Sequence, residues 1–445
     1  IELNSGDSPN LCLGLCTIYQ HPDGTPTLEN TGTPAEFAIA MNRFAEDQVF
    51  LHMLERNALE EAHLLRLTDA VADTHQTAPK SAEVALYAQT CADSRAAIDV
   101  LRETAHGIDA HLVETLSQMF DDALSTYKNL IISRAQTHTK LFQRDLSLDG
   151  ICWHEGAPAF FDGMPVHKEP QKADTMADLA TLVVDLYYLD NQQLAFLVLN
   201  RYLKRTDDFD GLPLLRVYCA LQAAQRSVRH CLTAPELNNS AASLREVNKA
   251  RHYAELALLF MRDTPDQRIV AFGGFSGSGK TTLARPVAQR IGAAHIRADA
   301  VRKHLFGAPV GQPAPAEAYE AGHQNATYDG LQKRAKKALE AGLSVVIDGV
   351  YSSESHRDGL GAFAAAQNLP YTAIWCMAPS LVAHQRLKER LERAGKTHKR
   401  LDENHEKQVF VNAGRITWHR LDTVYGKDYV KERVFELLKL SAPDK

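Results

Sequence analysis

The stretch "VAFGGFSGSGKTTLA", residues 270–284, crowds four glycines, two serines and a lysine between an apolar run and a helix-like run. Such a segment gains little from burial and loses chain entropy on ordering. Gly274, Gly279, Lys280 and Thr281 match the spacing G-x-x-x-x-G-K-S/T, which occurs once in the chain. The preceding "RIVAFGG" reads as a strand, and the following "TTLARPVAQRIG" reads as a helix ending at Gly292. In that setting the glycines let backbone N–H groups turn inward around a phosphate, and the helix N-terminus adds partial positive charge. Ser276, Gly277, Ser278 and Thr282 are expected to line this nucleotide cradle with Gly274, Gly279, Lys280 and Thr281. Lys280 is expected to reach the terminal phosphates as a catalytic residue, and the Thr281 hydroxyl to face a metal. ATP and Mg2+ are therefore the expected cofactors.

The pattern changes near residue 265. After it, short β-branched runs alternate with helical runs: "RIVAFGG", "LARPVAQRI", "AAHIRAD", "AYEAGHQNATYDGLQKRAKKALEAG", "SVVIDG", "SHRDGLGAFAAAQN" and "YTAIWCMA". This is the βα alternation of a parallel sheet. Before it, residues 36–262 are dominated by helix-period patterns. In "ALEEAHLLRLTDAVADTH" the expected apolar face is Leu59, Ala62, Leu65, Leu67, Ala70 and Val71. "ADLATLVVDLYYLDNQQLAFLVLNRYLKR", "GLPLLRVYCALQAAQRSVRHCL" and "SLREVNKARHYAELALLFMR" read as buried helices. The expected domains are 1–262, mainly helical, and 263–445, α/β. "GAPVGQPAPAEA" reads as a surface loop.

Length and charge narrow the classes. A chain of 445 residues is expected to hold two or three domains. Its net charge of −6 gives no support to a chain-wide nucleic-acid or membrane-surface role. No apolar run reaches about 18 residues, so no membrane span is expected. The seven cysteines are scattered without a C-x-x-C pair, which points to a reducing, cytoplasmic setting. "IELNSGDSPN" lacks a basic and an apolar segment and reads as the interior of a longer chain rather than a signal peptide.

Several residues near the expected sheet edge bear chemistry. "AAHIRADAVRKHLFG" places Asp299 after the second strand, with Arg302 one turn on. An acid there suits a general base and an arginine suits the acceptor; the alternative is that Asp299 caps the helix "AVRKHL". "SVVIDG" places Asp348 at a strand end, where it would hold a magnesium-bound water or orient the acceptor, unless Asp-Gly merely forms a turn. Arg357 opens the next helix, as a substrate ligand or a solvated cation. "VAHQRLKERLERAGKTHKRLDENHEKQ" carries Arg386, Lys388, Arg390, Arg393, Lys396, Lys399 and Arg400, broken by Gly395. Helix, basic turn, helix from about Asp402 is the layout of a kinase lid that brings arginine onto the transferring phosphoryl group. Arg390 is the expected catalytic arginine; a solvated charge run is the alternative.

On "GFSGSGKTTLA", "RADAVRKHL", "VVIDGVYSSESHR" and "RLKERLERAGKTHKRLDENHEKQ", residues 268–440 resemble the small-molecule kinases of the P-loop group, relatives of gluconate kinase, adenylylsulfate kinase and zeta toxins. The resemblance implies a five-stranded parallel sheet, Mg2+-ATP-dependent transfer to a hydroxyl, and a base at Asp299. Relatives often read D-A-S/T where this chain reads Asp348-Gly349-Val350.

"LFQRDLSLDGICWHEGAPAFFDGMP", "MADLATLVVDLYYL" and "GLPLLRVYCALQAAQRSVRHCL" resemble the C-lobe of aminoglycoside-phosphotransferase-like, hence protein-kinase-like, proteins. That resemblance implies that Asp145 stands at the base position and Asp162 at the metal position. It also implies that Gly150 replaces a magnesium-binding Asn and Ala40 replaces a lysine. A phosphoryl-transfer site needs both its metal ligands and its phosphate clamp, so the first half reads as a pseudokinase scaffold. The expected activity is an ATP-dependent kinase with a small-molecule hydroxyl acceptor. A nucleotide-driven switch and a toxin-like kinase of a nucleotide sugar or cofactor are the alternatives. No nucleic acid or membrane partner is expected, and the oligomeric state is unreadable.

Overall fold

The computed structural model describes residues 11–80, 85–104, 107–142, 146–161, 171–236, 240–262, 266–308, 312–393 and 413–440. Asp145, Asp162, Lys396, Lys399 and Arg400 lie outside these residues, as does the lid helix expected from about Asp402. The chain divides into two compact units. One comprises Ile1–Val198 and Pro213–Arg262, the other Leu199–Leu212 and Asp263–Lys445. Leu199–Leu212 thus belongs to the second unit, although the change in sequence pattern lies near residue 265.

The first unit opens with an antiparallel sheet of β1 (Cys12–Gln20), β2 (Pro26–Thr27) and β3 (Thr33–Met41), with β1 between the others. Residues 36–41, expected at the start of the helical region, therefore form a strand. Their alanines alternate with Phe37, Ile39 and Met41, a period of two that suits a strand despite alanine's helix propensity.

Helices follow: α1 (Phe50–Glu55), α2 (Glu61–Thr77), α3 (Leu86–Thr104) and α4 (Ala110–Thr137). The buried stripe of α2 is Leu64, Leu67, Thr68, Val71, Ala72 and His75, which shares Leu67 and Val71 with the face expected from the sequence. Ala62 is exposed and Leu65 only half-buried. The observed residues keep the i, i+3, i+4, i+7 spacing, and each buried Leu or Val contributes roughly 1.5–3 kcal/mol.

Short strands β4 (Thr139–Phe142), β5 (Ile151–His154), β6 (Ala157–Phe160) and β7 (Gln171–Asp174) form two hairpin-like pairs, β4 with β7 and β5 with β6. The helices α5 (Thr175–Tyr188), α6 (Gln192–Thr206), α7 (Leu212–Thr233) and α8 (Ser240–Met261) lie on the stretches read as helical. α5 is buried almost all round, from Thr175 through Leu186. Among the described residues, no helix is long and apolar enough to cross a membrane.

The second unit is built on five parallel strands in the order β12-β11-β8-β10-β9. In chain order they and their helices are β8 (Ile269–Gly273), α9 (Lys280–Arg290), β9 (Ala293–Arg297), α10 (Ala298–Leu305), α11 (Ala321–Glu340), β10 (Ser344–Asp348), α12 (Glu354–Ala366), β11 (Tyr371–Met377), α13 (Ser380–Arg393), β12 (His419–Asp422) and α14 (Lys427–Leu437). β8 and β10 are buried at every position, the mark of a parallel sheet covered on both faces. Val270, Phe272, Val346 and Ile374 meet Leu283, Val287, Val430 and Val434 of α9 and α14 in one apolar core. The fifth strand, β12, has no β-branched residue and largely exposed positions, so periodicity did not show it. Because every strand runs the same way, Gly273, Arg297, Asp348 and Met377 end together at one edge. Parallel sheets bind their ligands at that edge.

Candidate active site

The loop from Gly274 to Gly279 joins central strand β8 to α9. Gly274 has φ 131° and Gly277 φ 82°, a region where L side chains are strained. A Cβ at Gly274 would also collide with the Cys376 carbonyl oxygen, and one at Gly277 with the Ala383 backbone. Glycine is required at both points by conformation and by space. The loop is pinned by Gly274 N–H donating to Val350 O at 3.1 Å and Ser278 N–H to Phe275 O at 3.1 Å.

Lys280 begins α9 and folds back over the loop, donating from Nζ to Phe275 O at 2.9 Å. Burial lowers its pKa, and Arg390 and Arg297 add to that while Asp348 opposes it. The Thr281 hydroxyl donates to Asp348 Oδ2 across the β8–β10 edge. Asp348 is 4% exposed. Burial raises its pKa, but neighbouring His295, Lys280 and Arg297 more than offset this and hold it at about 2. Asp348 therefore carries its charge beside Thr281.

Four buried donors here have no hydrogen-bond partner: Ser278 Oγ, His295 Nε2, Arg297 Nε and Arg302 Nε. His295 Nε2 lies 3.7 Å, and Arg297 Nε 3.8 Å, from Asp348 Oδ2. Burial lowers the His295 pKa from its ordinary value, while Asp348 works against the shift. Unpartnered buried donors cost about 1–3 kcal/mol each, and anionic oxygens would satisfy them. The glycine cradle, the orphaned donors and the Thr281–Asp348 pair fit a polyphosphate with a hard cation. Thr281 and Asp348 would hold Mg2+, and Gly274 to Thr281 the phosphates.

Asp299 does not cap its helix. Arg297 occupies the N-cap, and Asp299 sits in the first turn with no capping bond. Its half-exposed carboxylate pairs with Lys303 Nζ at 3.0 Å. Burial works against its charge, but Lys303, Arg297 and Arg302 outweigh it and hold its pKa below the usual value. The Arg302 guanidinium lies 4.7 Å from the Tyr319 ring centroid.

Arg357, expected as a substrate ligand or a solvated cation, is engaged by main-chain carbonyls. It is 2% exposed. Its donors go to the carbonyls of Tyr351, Ser352, Ala413 and Arg415 at 2.6–3.1 Å. Four main-chain acceptors engage both terminal nitrogens of that guanidinium.

Arg390 is exposed on α13, close enough for its charge to act on Lys280. Thr282 is exposed behind the loop. Arg386, read only as part of the charge run, instead braces the loop, donating to Gly277 O at 3.4 Å and Thr423 Oγ1 at 2.9 Å. Thr423 in turn donates to Ser278 O at 2.9 Å. Neither bond has a local sequence signal, because Thr423 is more than a hundred residues from the loop. Arg297 and His295 were missed for the same reason: only the pairing of β9 with β10 sets them beside Asp348.

A family profile described as an AAA domain matches residues 269–411. The chain is 26% identical over 434 residues to an uncharacterized protein of Mycobacterium tuberculosis, covering 95% of this chain and 83% of that relative. A protein of Mycobacterium bovis matches with the same figures. Among solved structures, an APS kinase of Mycobacterium tuberculosis in complex with AMPPNP and APS is 19% identical at a TM-score of 0.30, covering 40% of this chain and 99% of that one. A gluconokinase from Sinorhizobium meliloti is 18% identical at 0.28, covering 40% and 98%. The profile match lies on the second unit and takes in the loop Gly274 to Gly279, whose residues carry the G-x-x-x-x-G-K-S/T spacing.

Proposed function

We propose that the second unit is an ATP-dependent phosphotransferase acting on a hydroxyl of a small molecule. The observation that carries this reading is the set of orphaned donors, Ser278 Oγ, His295 Nε2, Arg297 Nε and Arg302 Nε, gathered at the edge that holds the glycine cradle and the Thr281–Asp348 pair. Gly274 to Lys280 would bind and orient the ATP phosphates. Mg2+, held at Thr281 and Asp348, would offset phosphate charge. Asp299 takes the proton of the acceptor hydroxyl, whose oxygen attacks the terminal phosphorus as ADP leaves. Arg390 would stabilise the transferring group, and Arg302 would hold the acceptor. The first unit is, on this reading, a kinase-like scaffold without chemistry: Gly150, buried in a short turn, has no side chain to ligate metal.

The ion pair of Asp299 with Lys303 favours a second reading, a nucleotide switch without an acceptor. ADP release with and without a panel of polyols, sugars and sugar acids separates the two. Asp299→Asn should lower acceptor-dependent release about 10²-fold and leave nucleotide affinity unchanged. Equal turnover by parent and variant, with no acceptor raising release, would establish the switch instead.

A further inference from the structure

Leu199–Leu212 is joined to β9, α10 and α11 of the second unit by polar links. Asn200 Nδ2 donates to Ala293 O at 2.9 Å, and its Oδ1 accepts from His295 N–H at 2.7 Å. β9 is an edge strand, and this amide satisfies its free backbone groups as a neighbouring strand would. His304 Nε2 lies 3.0 Å from Lys204 O. Asp207 pairs with Arg334, and Asp210 with Lys337.

Lys204 stands one helical turn after Asn200, on the face that grips β9. The charges acting on its ammonium are those of Arg297, Arg201, Lys303 and Asp299. Burial and the cations among these push it down to about 8. Among the described residues its ammonium has no ion-pair or hydrogen-bond partner. Arg297 Nε and Arg302 Nε are also buried without a hydrogen-bond partner; Arg297 stands 3.8 Å from Asp348 Oδ2, and Asp299, the one carboxylate acting on Lys204, is already paired with Lys303. Like charges gathered this way repel one another, and a bound anion relieves the repulsion.

We propose that Lys204, with Arg297, Arg302 and Lys303, forms an oxyanion subsite beside Asp299, so that the acceptor is a hydroxylated molecule bearing a phosphate- or sulfate-type group. The word acceptor rests on the phosphotransferase reading of this site; the anion binding does not. The substrate-binding residue then comes from a segment more than sixty residues before the phosphate loop in sequence.

Inorganic phosphate is the probe. The full chain is first saturated with AMPPNP and Mg2+ to fill the phosphate loop, then titrated with phosphate in a calorimeter. The expected result is saturable binding of about one phosphate per chain, weakened about tenfold in Lys204→Ala, the scale of one charge-assisted contact. Lys204→Gln keeps much of the stem and removes the charge, and should weaken binding equally; Lys204→Arg should recover it at least in part. No saturable binding in the parent, or equal affinity in folded Lys204→Ala or Lys204→Gln, overturns the subsite. If phosphate binds as stated but no acceptor raises ADP release, the phosphotransferase reading falls and the subsite stands. If a neutral acceptor raises ADP release while phosphate does not bind, the subsite falls alone.

Discussion

In the first unit, Arg134 closes on Asp174 with two bonds of 2.7 and 2.8 Å, both side chains almost fully buried. His75 meets Asp178 at 2.8 Å, and Asp185 takes Leu148 N–H at 2.8 Å and Arg226 at 3.1 Å. In the second unit, Arg302 keeps a buried Nε without a hydrogen-bond partner, and Arg297 Nε and His295 Nε2 stand 3.8 and 3.7 Å from Asp348 Oδ2 without a hydrogen bond. The contrast separates two uses of buried charge. Desolvating an ion is tolerable where a fixed partner repays it. Where no hydrogen bond is built in, an anionic ligand would repay the cost.

The comparison can be broken by substitution. Arg134→Ala should have the largest effect on stability, about 3–5 kcal/mol, because it leaves Asp174 buried and charged while Asp174 also caps α5 through Met176 N–H. Hydrogen exchange across Ala110–Thr137 would report it, with ADP formation per folded molecule unchanged. A large loss of ADP formation without faster exchange would place chemistry in the first unit.

Arg357 sharpens the contrast from inside the second unit. It lies near the catalytic edge but is partnered like the charges of the first unit. Arg357→Ala strands several buried carbonyls and should cost about 3 kcal/mol, read as increased exchange across Tyr371–Met377, with the acceptor KM unchanged in the folded fraction. A raised acceptor KM at undiminished stability would restore it as a substrate ligand.

How much was legible follows from how local each signal is. The phosphate loop, its strand and its helix lie within about twenty consecutive residues, and the positive φ at Gly274 and Gly277 is local, although the close approaches of Cys376 and Ala383 are not. Four of the five parallel strands carry at least one β-branched residue in an apolar setting. β12, "HRLD", is held by pairing with β11 and by little in its own composition. Asp348 was visible as a strand end, but its tie to Thr281 needed the β8–β10 pairing. Arg357 looked free because its carbonyl partners include Ala413 and Arg415, far along the chain. Asn200 grips β9 from ninety-three residues away, a contact that no periodicity encodes.

The central claim is that one unit handles nucleotide and the other does not. Equilibrium dialysis of the full chain against Mg2+-ATP, with Lys280→Ala in parallel, tests it most directly. The Lys280 ammonium sits folded over the loop, and losing it removes a charge-assisted phosphate contact while leaving the apolar core untouched. The account predicts about one ATP per parent chain, and binding by Lys280→Ala weakened by roughly tenfold or more. Two ATP per parent chain, or a single site indifferent to Lys280→Ala, would contradict it.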